Sequence, residues 1–563
     1  MKYNTKTTGR GPAQKTVNAE GGEAFTLDNR TALYMRASTS LGGGSADKFY
    51  TTAKEDYNAI VDLVTKVAKT DPEFIFQLAA YCREDLHLRS IPTVLFIEGI
   101  RALKASKTAG APYPVDASQY ASYIFGRADE IVEAMAYWLA VENNNVNLPA
   151  PFRKSLQLAL NKFDEYRLLK YNQTDKAVTF KDIVRLTHPQ PKNDTQKAIF
   201  RYFIKDEIDP KLMPKTIARQ ALLRHDKFDA TAQELIKASH ATWETVTSKF
   251  GSSKEVWESV IPNMGYMALL RNLNNFIKTD VNLDPVIARL TDRNEVLKSK
   301  QLPFRFYSAM KALLKDTTEV SNRYSYMDNV NTAFDKWNSK VNNTDKVQRL
   351  VNALGIALNL SIANIPNMEG RTLVAADLSG SMGSLLNDKS SISCREIAAL
   401  MAGCATEVAR DNIAAGFGET FAVAKGGTNA LETAKNIDAL QVGHSTNAYL
   451  ILEYLYKNRI FVDRVMYFTD THCYNDGTYG YGDSLNTLWD QYKALVVATG
   501  RPAPFLYEVN LVGGNTSNFL PQKNVALIGG WSERIFELMG TYERDPRSAV
   551  QKIKEKYSLS VAV

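Results

Sequence analysis

Cysteine is scarce in this chain: Cys82, Cys394, Cys404 and Cys473 are the four among 563 residues, and none forms a CxxC pair. That spacing excludes a cysteine-based zinc site or a disulfide framework and fits a reducing, cytoplasmic setting. No apolar run approaches the roughly 18 residues a membrane-spanning helix needs. The opening stretch MKYNTKTTGRGPAQKT lacks the apolar core of a secretion signal, so no membrane partner is expected. Catalytic signatures are also missing. Gly42-Gly43-Gly44-Ser45 and Gly426-Gly427-Thr428 lack the lysine of a phosphate loop, and no HExxH, GxSxG or kinase set occurs. Histidines number six. His444 and His472 read as polar loop residues rather than bases. Asp377 and Asp470 have neither a second metal nor a general base beside them for hydrolysis. The chain is expected to bind, not to catalyse.

What is present is enough apolar residue for more than one core: 45% hydrophobic and 23% charged residues over 563 positions suggest two or more soluble domains. The net charge of +7 is unevenly spread. Before residue 365 there are roughly 50 basic against roughly 40 acidic residues, and after it roughly 18 against roughly 21. A basic first part favours a polyanion such as nucleic acid, although solubility alone would explain the same excess.

The texture of the chain divides in the same place. Residues 1–48 read as a flexible polar segment. From Tyr50 to about Leu360 helix follows helix. Tyr57, Ile60, Val61, Val64, Val67 and Ala68 share one helical face, and Asp71-Pro72 and Ser90 with Pro92 mark further starts. Stacked helix pairs without strands predict a HEAT-like α-solenoid over 49–365, with a compact bundle as the alternative. From Arg371, strand candidates Leu373–Ala376, Ile413–Phe417, Phe421–Ala424, Val465–Thr469, Phe505–Val512 and Val525–Ile528 alternate with helices. That alternation predicts a doubly wound, mostly parallel α/β domain over 366–563.

Two constellations carry chemistry. Asp377-Leu378-Ser379-Gly380-Ser381 ends an apolar strand with one carboxylate and two hydroxyls. Thr446 opens another apolar segment, and Asp470 ends Val465–Thr469. Hard oxygen donors at the carboxyl ends of parallel strands suit Mg²⁺. Thr428 in Gly427-Thr428-Asn429 is the rival threonine. The other constellation is FKDIVRLTHPQP, where Lys181, Arg185 and His188 at i, i+4 and i+7 lie on one stripe, stopped by Pro189 and Pro191. A phosphate backbone calls for such a row, and a His can donate to or stack on a base. A solvated face with a capping His accounts for the same residues. Lys170-Tyr171-Asn172-Gln173 offers a cation, a ring and amides. Arg127 beside Gly126, and Arg271 on the helix Met267 to Asn275, are further donors.

The three metal loops resemble the metal-ion-dependent adhesion site of a von Willebrand factor A domain. AEGGEAF, YCREDLHLRSIPTVLF, FGRADEIVEAMAYWL, LLKYNQ…TFKDIVRLTHPQPKN and MALLRNLNN, in this order, resemble the TROVE module of the Ro autoantigen family, in a bacterial- or phage-type member. The resemblance covers nearly the whole chain, since that family also ends in an A-type domain. It implies a HEAT-like ring made by a single chain, with the A-type domain next to the ring closure. It also implies binding of small noncoding Y-type RNA on the outer basic surface and of misfolded RNA through single-stranded 3′ ends in the central hole, in RNA quality control. By motif, the family's RNA-contacting residues correspond to His188, Lys181 and Arg185, and to Lys170, Tyr171 and Gln173. The chain departs from the vertebrate pattern where Thr174 stands for a basic residue and Lys176 follows. The resemblance further implies that Ser379, Ser381 and Thr446 bind the divalent cation directly, with Asp377 and Asp470 acting partly through water. An exoribonuclease tethered by the RNA is the protein partner implied. The alternative is an Mg²⁺-dependent protein-interaction module with the helical part as scaffold.

Overall fold

A computed structural model describes residues 15–17, 23–39, 53–107, 113–172, 176–315, 345–363, 365, 367–385, 392–473, 485–512, 516–520, 522–530, 534–544 and 548–559. The chain folds into an array of antiparallel helices followed by an α/β domain. Among the described residues no helix is long and apolar enough to cross a membrane.

The array starts where the sequence has strong helix signals. Helix Pro72–Glu84 takes its proline in the first turn, where the missing N–H costs nothing. Its Phe74, Ile75, Phe76 and Leu78 are all fully buried, so it lies between neighbours rather than on the surface. Helix Ile91–Ser106 packs against it closely: a Cβ on Gly99 would stand 3.0 Å from Ile75 Cγ2. Buried Glu98 joins this helix to others, accepting hydrogen bonds from Tyr57 and Tyr137 and pairing with Arg101. The same pairing of neighbours continues to helix Asp345–Ile362.

In the α/β domain, six strands lie in the order β5-β4-β3-β6-β7-β9. They are β3 Met368–Asp377, β4 Ala409–Phe417, β5 Phe421–Val423, β6 Arg464–Thr469, β7 Phe505–Asn510 and β9 Val525–Gly529. All neighbours are parallel except β5, which pairs antiparallel with β4 at the edge. Leu373 to Ala376 in β3 are wholly buried, as a strand covered on both faces requires. The chain passes from β3 to β4 on one side and to β6 on the other. The carboxyl end of β3 is therefore a topological switch point, where open α/β sheets form a ligand crevice.

The expectation of a flexible segment over residues 1–48 is corrected at residues 15–17 and 23–39, and the rest of that segment lies outside the described residues. Lys15–Val17 (β1) pairs antiparallel with Glu23–Thr26 (β2), and β2 pairs with β8, Thr516–Ser517. Helix Asn29–Thr39 follows, with Leu33, Tyr34, Met35 and Ala37 buried. These residues are ordered by partners about five hundred positions away, which local composition does not register.

Both ends of the array dock on the α/β domain, and so the array closes into a ring. At the first end, Gly529 N donates to Tyr34 Oη (3.2 Å). Helix Ala549–Lys556 sends Lys554 to Asp71 (2.6 Å), and Tyr557 donates to Asp85 (2.5 Å). At the other end, Glu396 on helix Cys394–Val408 accepts from Tyr307 Oη (2.7 Å) and from Lys311 Nζ (2.7 and 2.9 Å) on helix Pro303–Lys315. The same carboxylate completes the capping box of its own helix with Ser393.

Glu396→Ala strips buried partners from Lys311 and Tyr307 and removes the cap. It should lower stability by about 3 kcal/mol, against about 1 kcal/mol for Tyr307→Phe. Urea unfolding measures both, and an alanine variant as stable as the wild type would contradict this seam.

Candidate nucleic-acid interface and metal centre

Helix Phe180–Thr187 is fixed at its start by a reciprocal box in which Thr179 Oγ1 accepts from Asp182 N (3.4 Å) and Asp182 accepts from Thr179 N (2.9 Å). Phe180, Ile183, Val184 and Thr187 are buried, and Phe180 stacks on Phe203 with ring centroids 5.3 Å apart. The opposite side presents half-buried Lys181 and exposed Arg185. His188 ends the helix in the left-handed conformation (φ 49°), its N–H donating to Val184 O (3.0 Å). Pro189 disfavours right-handed helix at the preceding residue, and the break leaves the imidazole exposed. Lys181, Arg185 and His188 form no ion pair among the described residues. Their charge and donors are available to a ligand.

The other sequence candidates meet elsewhere. Arg127, Lys170, Tyr171 and Arg271 line one cavity of about 600 Å³, together with Arg89 and Trp243. Its lining runs from Arg89 to Gln301, so helices from distant parts of the array contribute to it. Glu244 is the one carboxylate among its lining residues; of the four lining cations, Arg89 and Arg127 pair with Asp129, and Lys170 and Arg271 form no ion pair among the described residues. Lys170 Nζ sits 5.3 Å from the Tyr171 ring centroid and 5.8 Å from that of Tyr166. Burial lowers its pKa, and the positive charge of Arg127 adds to that against the opposing pull of Glu244. Gln173 lies outside the described residues. Arg89, Tyr166 and Trp243 carry no motif of their own: Arg89 lies in the bend before helix Ile91–Ser106, and the two aromatics lie on separate helices.

Arg127 differs from expectation. Its guanidinium is held by Asp129 (3.0 and 3.1 Å) and donates to Tyr171 Oη (2.7 Å). It therefore orients the tyrosine as much as it offers charge. The space beside Gly126 is filled by Arg83, since a Cβ there would lie 2.5 Å from Arg83 Nη2. Arg83 in turn pairs with buried Glu130 (2.7 Å).

The metal loops converge at the switch point. Asp377, Ser379, Ser381, Thr446 and Asp470 are all buried. Asp377 Oδ1 accepts from Ser379 N (3.0 Å), and the Ser379 and Ser381 hydroxyls stand 3.3 Å apart. Gly380 N donates to His444 O (2.9 Å) and ties the loop of Thr446 to the serine loop. Thr469 was not anticipated; its hydroxyl donates to Asp377 Oδ2 (2.7 Å) and holds that carboxylate in place. Thr428 is exposed and donates to Glu432 (2.6 Å) in the first turn of helix Ala430–Asp438, which it precedes. Burial, and then the charge of Asp470, push the Asp377 carboxyl up to about 7, against the hydrogen bonds from Ser379 and Thr469 that favour its charged form. Two buried carboxylates grouped with buried hydroxyls suit a hard divalent cation, whose charge would offset their repulsion. Among the described residues no three of His, Cys, Asp and Glu cluster as a metal-binding group. The site is rich in hydroxyls and unlike a zinc centre.

Comparison with known proteins places these features. The model of the TROVE domain matches residues 18–224 and 225–370. Telomerase protein component 1 of Mus musculus is 26% identical over 326 residues, which is 47% of this chain and 12% of that protein. The Rattus norvegicus protein of the same name is 24% identical over 353 residues, 52% of this chain and 13% of that protein. The chain thus spans only a small part of these curated relatives. The crystal structure of the Deinococcus radiodurans RO (RSR) protein superposes with a TM-score of 0.61 at 16% identity, covering 92% of this chain and 99% of that one. At that identity the likeness is one of fold: the helical ring and the α/β domain together.

Gly126→Ala should drive Arg83 off Glu130 and leave a buried carboxylate unpaired, at a cost of about 2 kcal/mol. Thermal unfolding reads it, and a variant with the wild-type midpoint would mean Arg83 moves aside freely.

Proposed function

The chain belongs to the TROVE domain family, and from that premise we propose that it is the RNA-binding component of a ribonucleoprotein, acting by binding rather than catalysis. The observation that carries this reading is the unpaired row Lys181, Arg185 and His188, on a helix fixed by its cap and its buried face. Cations without protein partners keep their full attraction for phosphates. An exposed imidazole beside them can donate to, or stack on, an unpaired base. In this reading the row holds small structured noncoding RNA of the Y type. The cationic cavity of Lys170, Tyr171 and Arg271 receives the single-stranded 3′ end of misfolded RNA, because a duplex is too wide to follow an unpaired strand there. Such a division selects RNA that has a free tail beside a helix, which suits RNA quality control. A second protein, such as an exoribonuclease, would reach the tail through the bound RNA.

The α/β domain adds a separate binding function. Ser379, Ser381 and Thr446 would hold Mg²⁺ directly, with Asp377 and Asp470 acting partly through water. The ion would supply an open coordination position for an acidic group of a partner. Thr469 keeps Asp377 oriented toward that position. Buried carboxylate repulsion at Asp377 favours this reading of the domain as a metal-dependent protein-interaction module beside the RNA-binding ring.

Lys181→Ala/Arg185→Ala should weaken binding of a small structured RNA at least about tenfold. It should also flatten the dependence of log affinity on log salt by about 1.5. Filter binding across a salt series measures both, and unchanged affinity in the folded variant would remove the row from the interface. Saturating Mg²⁺ should raise the thermal midpoint by several degrees, as about 3 kcal/mol of linkage gives at a hundredfold excess over Kd. Asp377→Ala should abolish that rise and leave RNA affinity within about twofold, because the two sites lie in separate domains. A midpoint indifferent to Mg²⁺ in the wild type would dismiss the metal.

A further inference from the structure

Beside the large cavity lies a second one of about 250 Å³, and the two share Tyr166, Lys170, His240, Ala241 and Thr242. Five helices line it, one of them Asp194–Lys205 through Tyr202. Helix Glu165–Lys170 supplies Tyr166 and Lys170, helix Pro214–Arg224 supplies Lys215, Arg219 and Gln220, and helix Ala230–Ser239 ends at His240 beside Trp243–Phe250. Not one Asp or Glu is among its lining residues. Glu165, on the same helix as Tyr166, accepts from both the N–H and the hydroxyl of Thr216 (2.8 Å each). Its charge is thereby held by the scaffold.

The residues that remain suit one particular chemistry. Lys215 Nζ lies 5.5 Å and Lys170 Nζ 5.8 Å from the centroid of the Tyr166 ring. His240, left-handed at φ 52°, brings its imidazole to 5.6 Å from the same ring, tilted by 53°. Arg219 is anchored by donating to Leu169 O (2.7 Å). Among the described residues Lys215 forms no ion pair, and the side-chain amides of Asn172 and Gln220 form no hydrogen bond. Cations that form no ion pair among the described residues, an aromatic ring and free amides in one recess match a phosphate, a base face and a base edge. A pocket for a fatty or peptide side chain would not concentrate cations in this way.

Resting on the RNA-binding reading above, we propose that this side cavity captures one nucleotide, turned out of the single strand that occupies the large cavity. Lys215 and Lys170 hold the phosphate, Tyr166 and His240 lie against the base, and Asn172 and Gln220 meet its edge. Capture of this kind would hold a single-stranded tail in place rather than let it slide. It would not act on duplex, whose bases are stacked and paired.

The test uses the full chain and two RNAs that share one hairpin, one blunt and one with an oligouridine 3′ tail of about eight nucleotides. Lys215→Ala and Tyr166→Leu should each weaken the tailed RNA about tenfold, the size of one lost base–aromatic stack, with the blunt RNA unaffected. A tail with a single abasic position, moved along the strand, should reproduce that loss at one position in the wild type. At that position it should add nothing in Tyr166→Leu. Thermal midpoints equal to wild type confirm folding, and Lys215→Ala alone decides the matter if Tyr166→Leu does not fold. If both variants bind the tailed RNA normally while Arg271→Ala loses it, the side cavity is not a nucleotide site and the cavity reading stands. Equal weakening of blunt and tailed RNA would reduce the effect to general charge and overturn the proposal. A wild-type protein with no preference for the tail, and no loss in Arg271→Ala, would overturn the cavity reading itself.

Discussion

The architecture depends on one constraint: a curved helical array has two open ends, and each must be covered. The α/β domain covers both. On one side Lys554 and Tyr557 reach Asp71 and Asp85, and on the other Glu396 takes up Tyr307 and Lys311. An uncapped solenoid would expose apolar helix faces at each end. Here those faces meet helices and an edge strand of a second domain.

Charge is sorted by whether the fold needs it. Arg83, Arg101, Arg127, Arg289 and Arg395 are bound to carboxylates or to backbone carbonyls, often several at once. Such cations fix helices against one another and have little field left for a ligand. Lys181, Arg185 and Lys215 make no such pairs among the described residues. The excess of positive charge in the first part of the chain is thus resolved by structure into two uses, and only the second bears on recognition. Net charge alone could not make that separation.

Much of this was legible in the sequence because it is local. The apolar run Leu373–Ala376 followed by Asp377, Ser379 and Ser381 announces a buried strand and a donor-rich turn in nine consecutive residues. The capped stripe of Lys181, Arg185 and His188 is likewise contained in one short helix. What was not legible depends on distant partners. Helix Asn29–Thr39 and strands β1 and β2 carry little apolar periodicity of their own and are held by β8 and β9. The lining of the cavities is gathered from segments far apart in the chain, so Arg89, Trp243 and Tyr166 had no motif to mark them. Arg127 shows the reverse case, since Asp129 only two residues later could have signalled that its guanidinium was already engaged.

The contact between Lys554 and Asp71 joins residues 483 positions apart, and this has a consequence for biogenesis. A chain made from its N-terminus exposes the first helices long before their covering helix exists. Each doubling of such a separation adds only about 0.6 kcal/mol to the entropy of closing the loop, so the distance is tolerable at equilibrium. In time it is decisive, because until synthesis has passed the C-terminal helix the array is an open crescent. The first end of the array therefore gains its cover only after the rest of the chain has been made.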